Sequence, residues 1–272
     1  MRFIPQKEII STVKELYLKA NTILPSRVEA SLRQAREREK GRARKILDIL
    51  LENARIAREE KIPLCQDTGM AVVFLNIGDR VQLKGRIEAA VNQGIREAVE
   101  EGYLRASTVD DPLGKRANRG DNTPGIVHVS LEEGEQLEIT VMAKGFGSEN
   151  ASLLYHLSPH AGWKGLQEAV LQAVREKGIN ACPPLFIGIG AGGTAEEALK
   201  LSKLALLNES PLTEKEEEIL AAVNQLGIGP GGAGGEFTAL RVKVLQYPTH
   251  IAGLPIGISL NCHALRYASK VI

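Results

Sequence analysis

Helical and strand-like patterns alternate irregularly along this chain, and that irregularity limits the fold more than any other feature. Residues 8–20 carry apolar side chains at helical spacing, whereas residues 71–77 form a short apolar run typical of a buried strand. A strict alternation of strands and helices would instead predict a barrel or a doubly wound sheet. We therefore expect a mixed α/β fold of the α+β type, with helices packed around mixed β-sheets, and not a Rossmann fold.

The same patterns predict the remaining elements. Further helices are expected at about 26–60, 84–103, 161–177, 194–207 and 213–226. Further strands are expected at about 126–131, 136–143, 185–189, 236–246 and 255–260. Ser26 with Glu29, and Thr194 with Glu197, have capping-box spacing. The sequence predicts a single domain over residues 1–272 with an N-terminal helical region at about 6–60.

Composition excludes several classes of protein. The chain has 272 residues, a formal net charge of +1 and only 4% aromatic residues, so we expect no nucleic-acid partner. No apolar run approaches the roughly 20 residues of a membrane span, and the N-terminus has no signal-peptide pattern, so we expect a cytoplasmic protein without a membrane partner. Residues 36–45 include six basic side chains. They form either a solvated helix face or a contact with a subunit or polyanion.

Three cysteines are the strongest chemical signal. Cys65, Cys182 and Cys262 all lie at predicted element ends beside proline, glycine or polar residues, unlike buried structural cysteines. Their odd number argues against a closed disulfide framework, and their spacings of 117 and 80 residues match no zinc-finger pattern. The residues alone leave two alternatives open, three metal-ligating thiolates or three unrelated thiols.

A glycine-rich segment and two histidines are weaker signals. Residues 188–193 fit G-x-G-x-x-G, but the following segment is helical where a Rossmann unit needs a second strand ending in an acidic residue. An anion site at the helix N-terminus and a simple tight turn both stay open. His250 lies in a loop twelve residues before Cys262, and His263 follows Cys262 directly. Adjacent residues rarely bind the same metal, so His263 is expected to orient a ligand.

Four segments together resemble one enzyme family. The string PLCQDTG at residues 63–69 resembles the cysteine motif of class I, iron–sulfur-dependent fumarate hydratases and the related L-tartrate dehydratases. The resemblance continues in order through residues 144–150, 182–193 and 253–264, and spans about residues 8–270. The chain looks like the α subunit of the two-subunit form.

The resemblance implies a cofactor and a reaction. It implies a [4Fe–4S] cluster held by Cys65, Cys182 and Cys262, with one iron lacking a Cys ligand and acting as a Lewis acid on a substrate hydroxyl. The implied reaction is the reversible hydration of fumarate to L-malate by a hydro-lyase, and the alternative is L-tartrate dehydration. A small dicarboxylate is the implied substrate.

The resemblance also implies site residues and a partner. Arg105, forty residues after Cys65, matches the family's substrate-binding arginine, which can grip a carboxylate with two N–H groups. Gln66, Asp67 and Gly147 match substrate-binding positions, and Asp67 and His250 are the candidate catalytic residues. A β subunit is expected to supply the rest of the active site, in an α2β2 assembly. The remote alternatives are a phosphate- or nucleotide-binding module and a zinc scaffold, both colourless, whereas an iron–sulfur subunit is brown.

Overall fold

The computed structural model describes all residues, Met1–Ile272, and the chain divides into two compact units. Unit 1 consists of Met1–Pro25, Asn53–Phe146 and Arg266–Ile272, and unit 2 of Ser26–Glu52 and Gly147–Leu265. No helix is both long and apolar enough to span a bilayer. The expectation of a single cluster-binding domain over residues 1–272 stays a prediction.

Helices and strands are mixed along the chain, which confirms the expected fold class. The helices are α1 (Gln6–Thr22), α2 (Ser26–Arg38), α3 (Gly41–Glu60), α4 (Ile87–Glu101), α5 (Phe146–Glu149), α6 (Gly162–Lys177), α7 (Ala195–Leu207) and α8 (Glu214–Asn224). The strands are β1 (Arg2–Ile4), β2 (Met70–Gly78), β3 (Val81–Leu83), β4 (Ile126–Glu132), β5 (Leu137–Lys144), β6 (Leu153–Leu157), β7 (Leu185–Gly193), β8 (Ala239–Thr249), β9 (Leu254–Asn261) and β10 (Tyr267–Val271).

Unit 1 is built on a four-stranded sheet in the order β10-β5-β2-β4. Strand β2 pairs antiparallel with β5 and parallel with β4, so the sheet is mixed. Helices α1 and α4 pack together, and Val13, Tyr17 and Ile95 join strand residues such as Val73 and Val141 in one buried cluster. The near-continuous burial of β2 explains its apolar sequence, which only the half-buried Asn76 interrupts.

Unit 2 contains a second mixed sheet in the order β6-β9-β7-β8, with α7 packed on β7 and β9. Glycines make this packing close. A Cβ at Gly188 would lie 2.0 Å from the carbonyl oxygen of Ser202, and one at Gly190 would lie 2.1 Å from that of Ala198. The whole G-x-G-x-x-G segment lies within β7, and its first two glycines allow the backbone of α7 to pack closely on the sheet. The predicted end of this strand at residue 189 was wrong for that reason.

Other boundaries also differ from the sequence predictions. The helix predicted at about 26–60 is two helices, because the chain breaks after Arg38 and restarts at Gly41, which has φ +55°. Buried Glu39 occupies the break and accepts a 2.8 Å hydrogen bond from the N–H of Phe237. The side chain of Thr194 makes no capping bond. The complete capping box is at Thr213, ahead of α8. Strands β1, β3, β6 and β10 were not predicted.

Candidate active site

The loop of residues 65–69 lies between α3 and β2, and hydrogen bonds from helix α1 hold it in place. The Tyr17 hydroxyl donates hydrogen bonds to the carbonyl oxygens of Thr68 at 3.1 Å and Gly69 at 2.9 Å. Burial raises the pKa of Tyr17, so the hydroxyl keeps its proton and stays a donor. Gly69 has φ +72°, and a Cβ there would lie 2.6 Å from the carbonyl carbon of Lys144. Glycine is required at this position by both the conformation and the space.

Backbone groups orient the Asp67 carboxylate. Its Oδ1 accepts a hydrogen bond from the N–H of Gly69 at 2.9 Å, and its Oδ2 accepts one from the N–H of Phe146 at 2.7 Å. The side chain is half-buried. A carboxylate held by two backbone donors has few alternative orientations, so Asp67 presents fixed acceptor atoms to the cleft beside it.

Arg105 joins the same group of residues. It is exposed, and its Nη1 donates a hydrogen bond to the Oε1 of Gln66. Its backbone is tied down as well, because its carbonyl oxygen accepts hydrogen bonds from Thr68 Oγ1 at 2.8 Å and Asn122 Nδ2 at 2.9 Å. The structure therefore brings together Gln66, Asp67 and Arg105, three of the residues that the sequence singled out.

These three residues line a cleft of about 650 Å³ within unit 1. The volume suits a small organic acid. Four further polar residues of the cleft were not predicted as site residues: Ser107, Thr108, Asp110 and Arg116. Their signal in the sequence was a polar loop at 105–125, and periodicity alone gives such a loop no geometry.

Two of the three cysteines lie in unit 2. Cys182 is exposed, and its backbone adopts the left-handed conformation with φ +57°. Its carbonyl oxygen accepts a 3.4 Å hydrogen bond from the N–H of His263. The His263 ring places Nδ1 3.3 Å from the same oxygen. The half-buried Cys262 is next to His263 in sequence, so this histidine connects the two cysteine loops. It contacts the Cys182 backbone, as expected for a residue that orients a ligand.

His250 and Gly147 also belong to unit 2, and neither lines the unit 1 cleft. His250 is exposed in the turn after β8, and its Nδ1 accepts a 3.2 Å hydrogen bond from the N–H of Ala252. The neutral ring then carries its proton on Nε2. Gly147 is exposed in α5, and a Cβ there would find only the Asn180 carbonyl oxygen, at 3.7 Å.

The cysteine side chains are suitable donors for an iron–sulfur group. None of Cys65, Cys182 and Cys262 forms a disulfide, and each has some exposure to solvent. Soft thiolates are the ligands that iron–sulfur clusters use. No three His, Cys, Asp or Glu side chains of the structure converge as a ready-made metal-ion site. The donor chemistry of the residues therefore fits the group, and their common assembly is part of the proposal below.

Comparisons with known proteins agree with these motifs. Residues 10–271 match the family model described as Fumarate hydratase (Fumerase). A Methanocaldococcus jannaschii protein, provisionally named an L(+)-tartrate dehydratase subunit alpha, is 39% identical over 97% of this chain and 98% of its own length. Subunits alpha of L(+)-tartrate dehydratase from Escherichia coli O157:H7 and strain UTI89 are 27% and 28% identical, over 93% and 90% of this chain and 86% and 84% of their own lengths.

Proposed function

The chain belongs to the class I fumarate hydratase and L-tartrate dehydratase family, among its α subunits, and from that premise we propose that it binds the cluster of a two-subunit iron–sulfur hydro-lyase. The substrate is a four-carbon dicarboxylate. The observation that carries the proposal is the grouping of Gln66, Asp67 and Arg105 around one cleft of about 650 Å³. An amide, a fixed carboxylate and a guanidinium together can bind and orient a hydroxy acid.

Fumarate, hydrated reversibly to L-malate, is the proposed substrate. L-Tartrate is a second candidate, and the names of the three relatives described above favour it. L-Malate, the hydrated form of fumarate, and L-tartrate share both carboxylates and the hydroxyl that leaves as water. Tartrate has one additional hydroxyl, so a site must meet that group with a polar partner to prefer it.

Cys65, Cys182 and Cys262 would hold the proposed [4Fe–4S] cluster, with one iron lacking a Cys ligand. When bound, the cluster supplies a Lewis acid for the substrate hydroxyl, which is otherwise a poor leaving group. His263 supports this arrangement by contacting the Cys182 carbonyl oxygen while adjoining Cys262. It acts by positioning the ligand loops and does not touch the substrate.

The chain's other residues bind and orient the substrate. Arg105 donates its remaining N–H groups to one carboxylate, and Gln66 stays beside it through their hydrogen bond. Asp67, with its oxygens fixed by two backbone N–H groups, accepts a hydrogen bond from a substrate hydroxyl or from the group that moves the proton. His250 Nε2 is a proton donor in the neutral ring, and the exposed Gly147 would offer its backbone N–H to a carboxylate.

A β subunit completes the site in this proposal. The named α subunits among the relatives support such a partner. Removing the α-proton of malate needs a base and a means of stabilising the carbanion, and this chain supplies only Asp67 and His250 as candidates. We propose an α2β2 assembly that acts in the cytoplasm.

Substrate assays on the assembled enzyme test the proposal. The α chain and its β partner are purified together without oxygen and given fumarate, L-malate and L-tartrate separately. Fumarate hydration with a kcat/KM at least tenfold above that for tartrate supports the fumarate assignment. The reverse ratio assigns tartrate. Absence of water addition or loss with all three substrates, in a brown and fully assembled enzyme, contradicts the proposed function.

A further inference from the structure

Arg116 and Thr108 lie in the unit 1 cleft, and the proposed function does not use either. Both residues follow Arg105 in the chain and line the cleft with Gln66 and Asp67. The loop that carries them has defined internal structure.

Residues 108–119 form a small hairpin. An antiparallel bridge joins Val109 to Asn118, the N–H of Asp110 donates to the carbonyl oxygen of Ala117 at 2.9 Å, and the N–H of Arg119 donates to that of Thr108 at 2.8 Å. The hairpin is closed at its base. Side chains on it consequently have fixed anchor points relative to each other.

The tip of the hairpin is ordered by Asp111. Its carboxylate accepts hydrogen bonds from three successive backbone N–H groups, those of Leu113, Gly114 and Lys115, at 3.0, 2.9 and 3.2 Å. These bonds lower the pKa of Asp111 and keep it ionised. Arg116 follows with φ +53°, and its Nη1 donates to the Pro112 carbonyl oxygen at 2.8 Å. That single bond leaves most of the guanidinium N–H groups available to a ligand.

Thr108 supplies an independent indication of a ligand. The residue lines the cleft and is only 8% exposed, and its buried Oγ1 has no hydrogen-bond partner. A buried hydroxyl without a partner is unfavourable, because it loses its water without replacement. A polar ligand atom in the cleft would satisfy it.

The arginines of the cleft favour an anionic ligand. Asp110 lies in the cleft lining, but Arg119 forms an ion pair with it. The carboxylate of Asp67 accepts hydrogen bonds from two backbone N–H groups and remains an acceptor beside the cleft. Arg105 and Arg116 are therefore the cations with donors to spare, one in the segment after α4 and one on the hairpin.

We propose that Arg116 binds the second carboxylate of the dicarboxylate substrate and that the Thr108 hydroxyl hydrogen-bonds to the same ligand. The inference rests on the proposed function, in which Arg105 binds the first carboxylate. It assigns to the α chain a contact that the incomplete site had otherwise left to the β subunit. The β subunit then has to supply proton transfer and closure of the site.

Kinetics of three variants in the α–β holoenzyme test this assignment. Arg116→Ala should raise KM about tenfold to hundredfold, as expected for loss of a charged hydrogen-bonded contact, with a smaller effect on kcat. Lys115→Ala is the matched control, because it removes a neighbouring cation that does not line the cleft. Its KM should stay within about twofold of the wild type. Equal KM values for Arg116→Ala and wild type overturn the assignment.

Thr108→Val separates a ligand contact from a structural role. Valine keeps the shape and removes the hydroxyl that has no partner, so the unfolding temperature should hold or rise while KM rises about fivefold. A lower unfolding temperature with unchanged KM overturns the role of Thr108. If Thr108→Val both raises KM and lowers the unfolding temperature, Thr108→Ser separates the two roles. It restores the hydroxyl and should restore KM.

Inhibition and direct-binding measurements test the role of Arg116 without requiring turnover. Wild-type enzyme should bind succinate more tightly than butyrate, and Arg116→Ala should reduce that preference at least tenfold. If the wild-type assembly turns over no substrate, the proposed function fails, and calorimetry of succinate with the full α chain still tests Arg116. Weaker succinate binding in Arg116→Ala than in Lys115→Ala supports the subsite. Equal binding in both variants, or none in the wild type, overturns it.

Discussion

At the scale of single residues, the three cysteines differ in exposure. Cys182 is exposed and Cys65 and Cys262 are half-buried. Replacing any one of them by serine should remove most of the bound iron and sulfide, because a hydroxyl is a poor ligand for an iron–sulfur cluster. Iron and sulfide analysis after anaerobic reconstitution, with absorbance near ~400 nm, measures the loss.

Stability is the control for the cysteine variants. Because serine differs from cysteine by one atom and none of the cysteines forms a disulfide, the unfolding temperature of the cluster-free chain should change by no more than a few degrees. A variant that keeps a full complement of iron and sulfide would remove that cysteine from the ligand set.

Arg105 provides a second prediction for a single residue. Arg105→Lys keeps the charge but loses the planar pair of donors and the hydrogen bond to Gln66, so kcat/KM should fall about tenfold to hundredfold with the cluster intact. Arg33→Lys is a suitable control, because Arg33 pairs with Glu29 on an exposed helix face. Wild-type kinetics in Arg105→Lys would show that the guanidinium does not contact substrate.

The cleft residues also show what the sequence can and cannot indicate. Gln66, Asp67 and Arg105 were predicted from motif positions, and hydrogen bonds bring them together. Arg116 and Thr108 were missed. Their placement depends on the 108–119 hairpin, whose bonds are made by loop backbone and Asp111, and no periodic pattern encodes such bonds.

At the scale of elements, helix α8 depends on one buried ion pair. Glu216 completes the capping box with Thr213, and its Oε2 accepts a hydrogen bond from Lys243 Nζ of β8 at 2.9 Å. Both side chains are almost fully buried, with 2% and 6% exposure. Removing one partner leaves a buried charge, so Glu216→Gln should lower the free energy of unfolding by about 3–5 kcal/mol.

The same pair predicts acid sensitivity. Burial opposes ionisation of Glu216, but hydrogen bonds from Lys243, Thr213 and Val244 outweigh it and lower the pKa. The pair's stabilisation is present above the model-peptide pKa of 4.5 and is lost as pH falls through the lower folded pKa. Denaturant unfolding between pH 7 and 3 should therefore show a smaller loss in Glu216→Gln than in wild type. Glu218→Gln, whose pair with Lys215 is exposed, is the control and should behave like wild type.

Element types were predicted better than element ends. The buried run of β2 and the amphipathic faces of α1 and α4 carry their own periodic signals. By contrast, Thr194 and Glu197 have capping-box spacing, but the Thr194 side chain makes no capping hydrogen bond. Such a bond depends on where the side chain lies and not on spacing alone. The extension of β7 to Gly193 was missed because its glycines match a turn motif, whereas in the structure they allow close packing against the backbone of α7, a contact that no sequence pattern shows.

At the scale of the whole molecule, activity is predicted to require two chains. The described cleft offers Arg105 and Arg116 for carboxylates but no group suited to remove a carbon-bound proton except Asp67. The isolated α chain should therefore bind a cluster and succinate but hydrate fumarate at less than about one hundredth of the rate of the α–β enzyme, since a missing acid–base group costs about 10²–10⁴-fold. Size-exclusion chromatography with light scattering, run beside the assay, should give the mass of an α2β2 assembly.

That comparison needs a control for loss of the cluster. Iron content is measured in both samples, so that an inactive α chain with a full cluster is distinguished from an empty one. Full hydratase activity of the α chain alone would contradict the two-subunit proposal and would require every catalytic group to lie within these residues.

The discontinuity of unit 1 has a consequence for biosynthesis. Strand β10 completes the unit 1 sheet by pairing with β5, yet all of Gly147–Leu265 separates the two along the chain. A ribosome therefore finishes unit 2 before β10 emerges, and until then the edge of β5 carries unpaired N–H and C=O groups. An exposed strand edge is a template for pairing with other chains. Nascent chains paused before residue 266 should consequently need chaperone protection, even though most of unit 1 was translated long before.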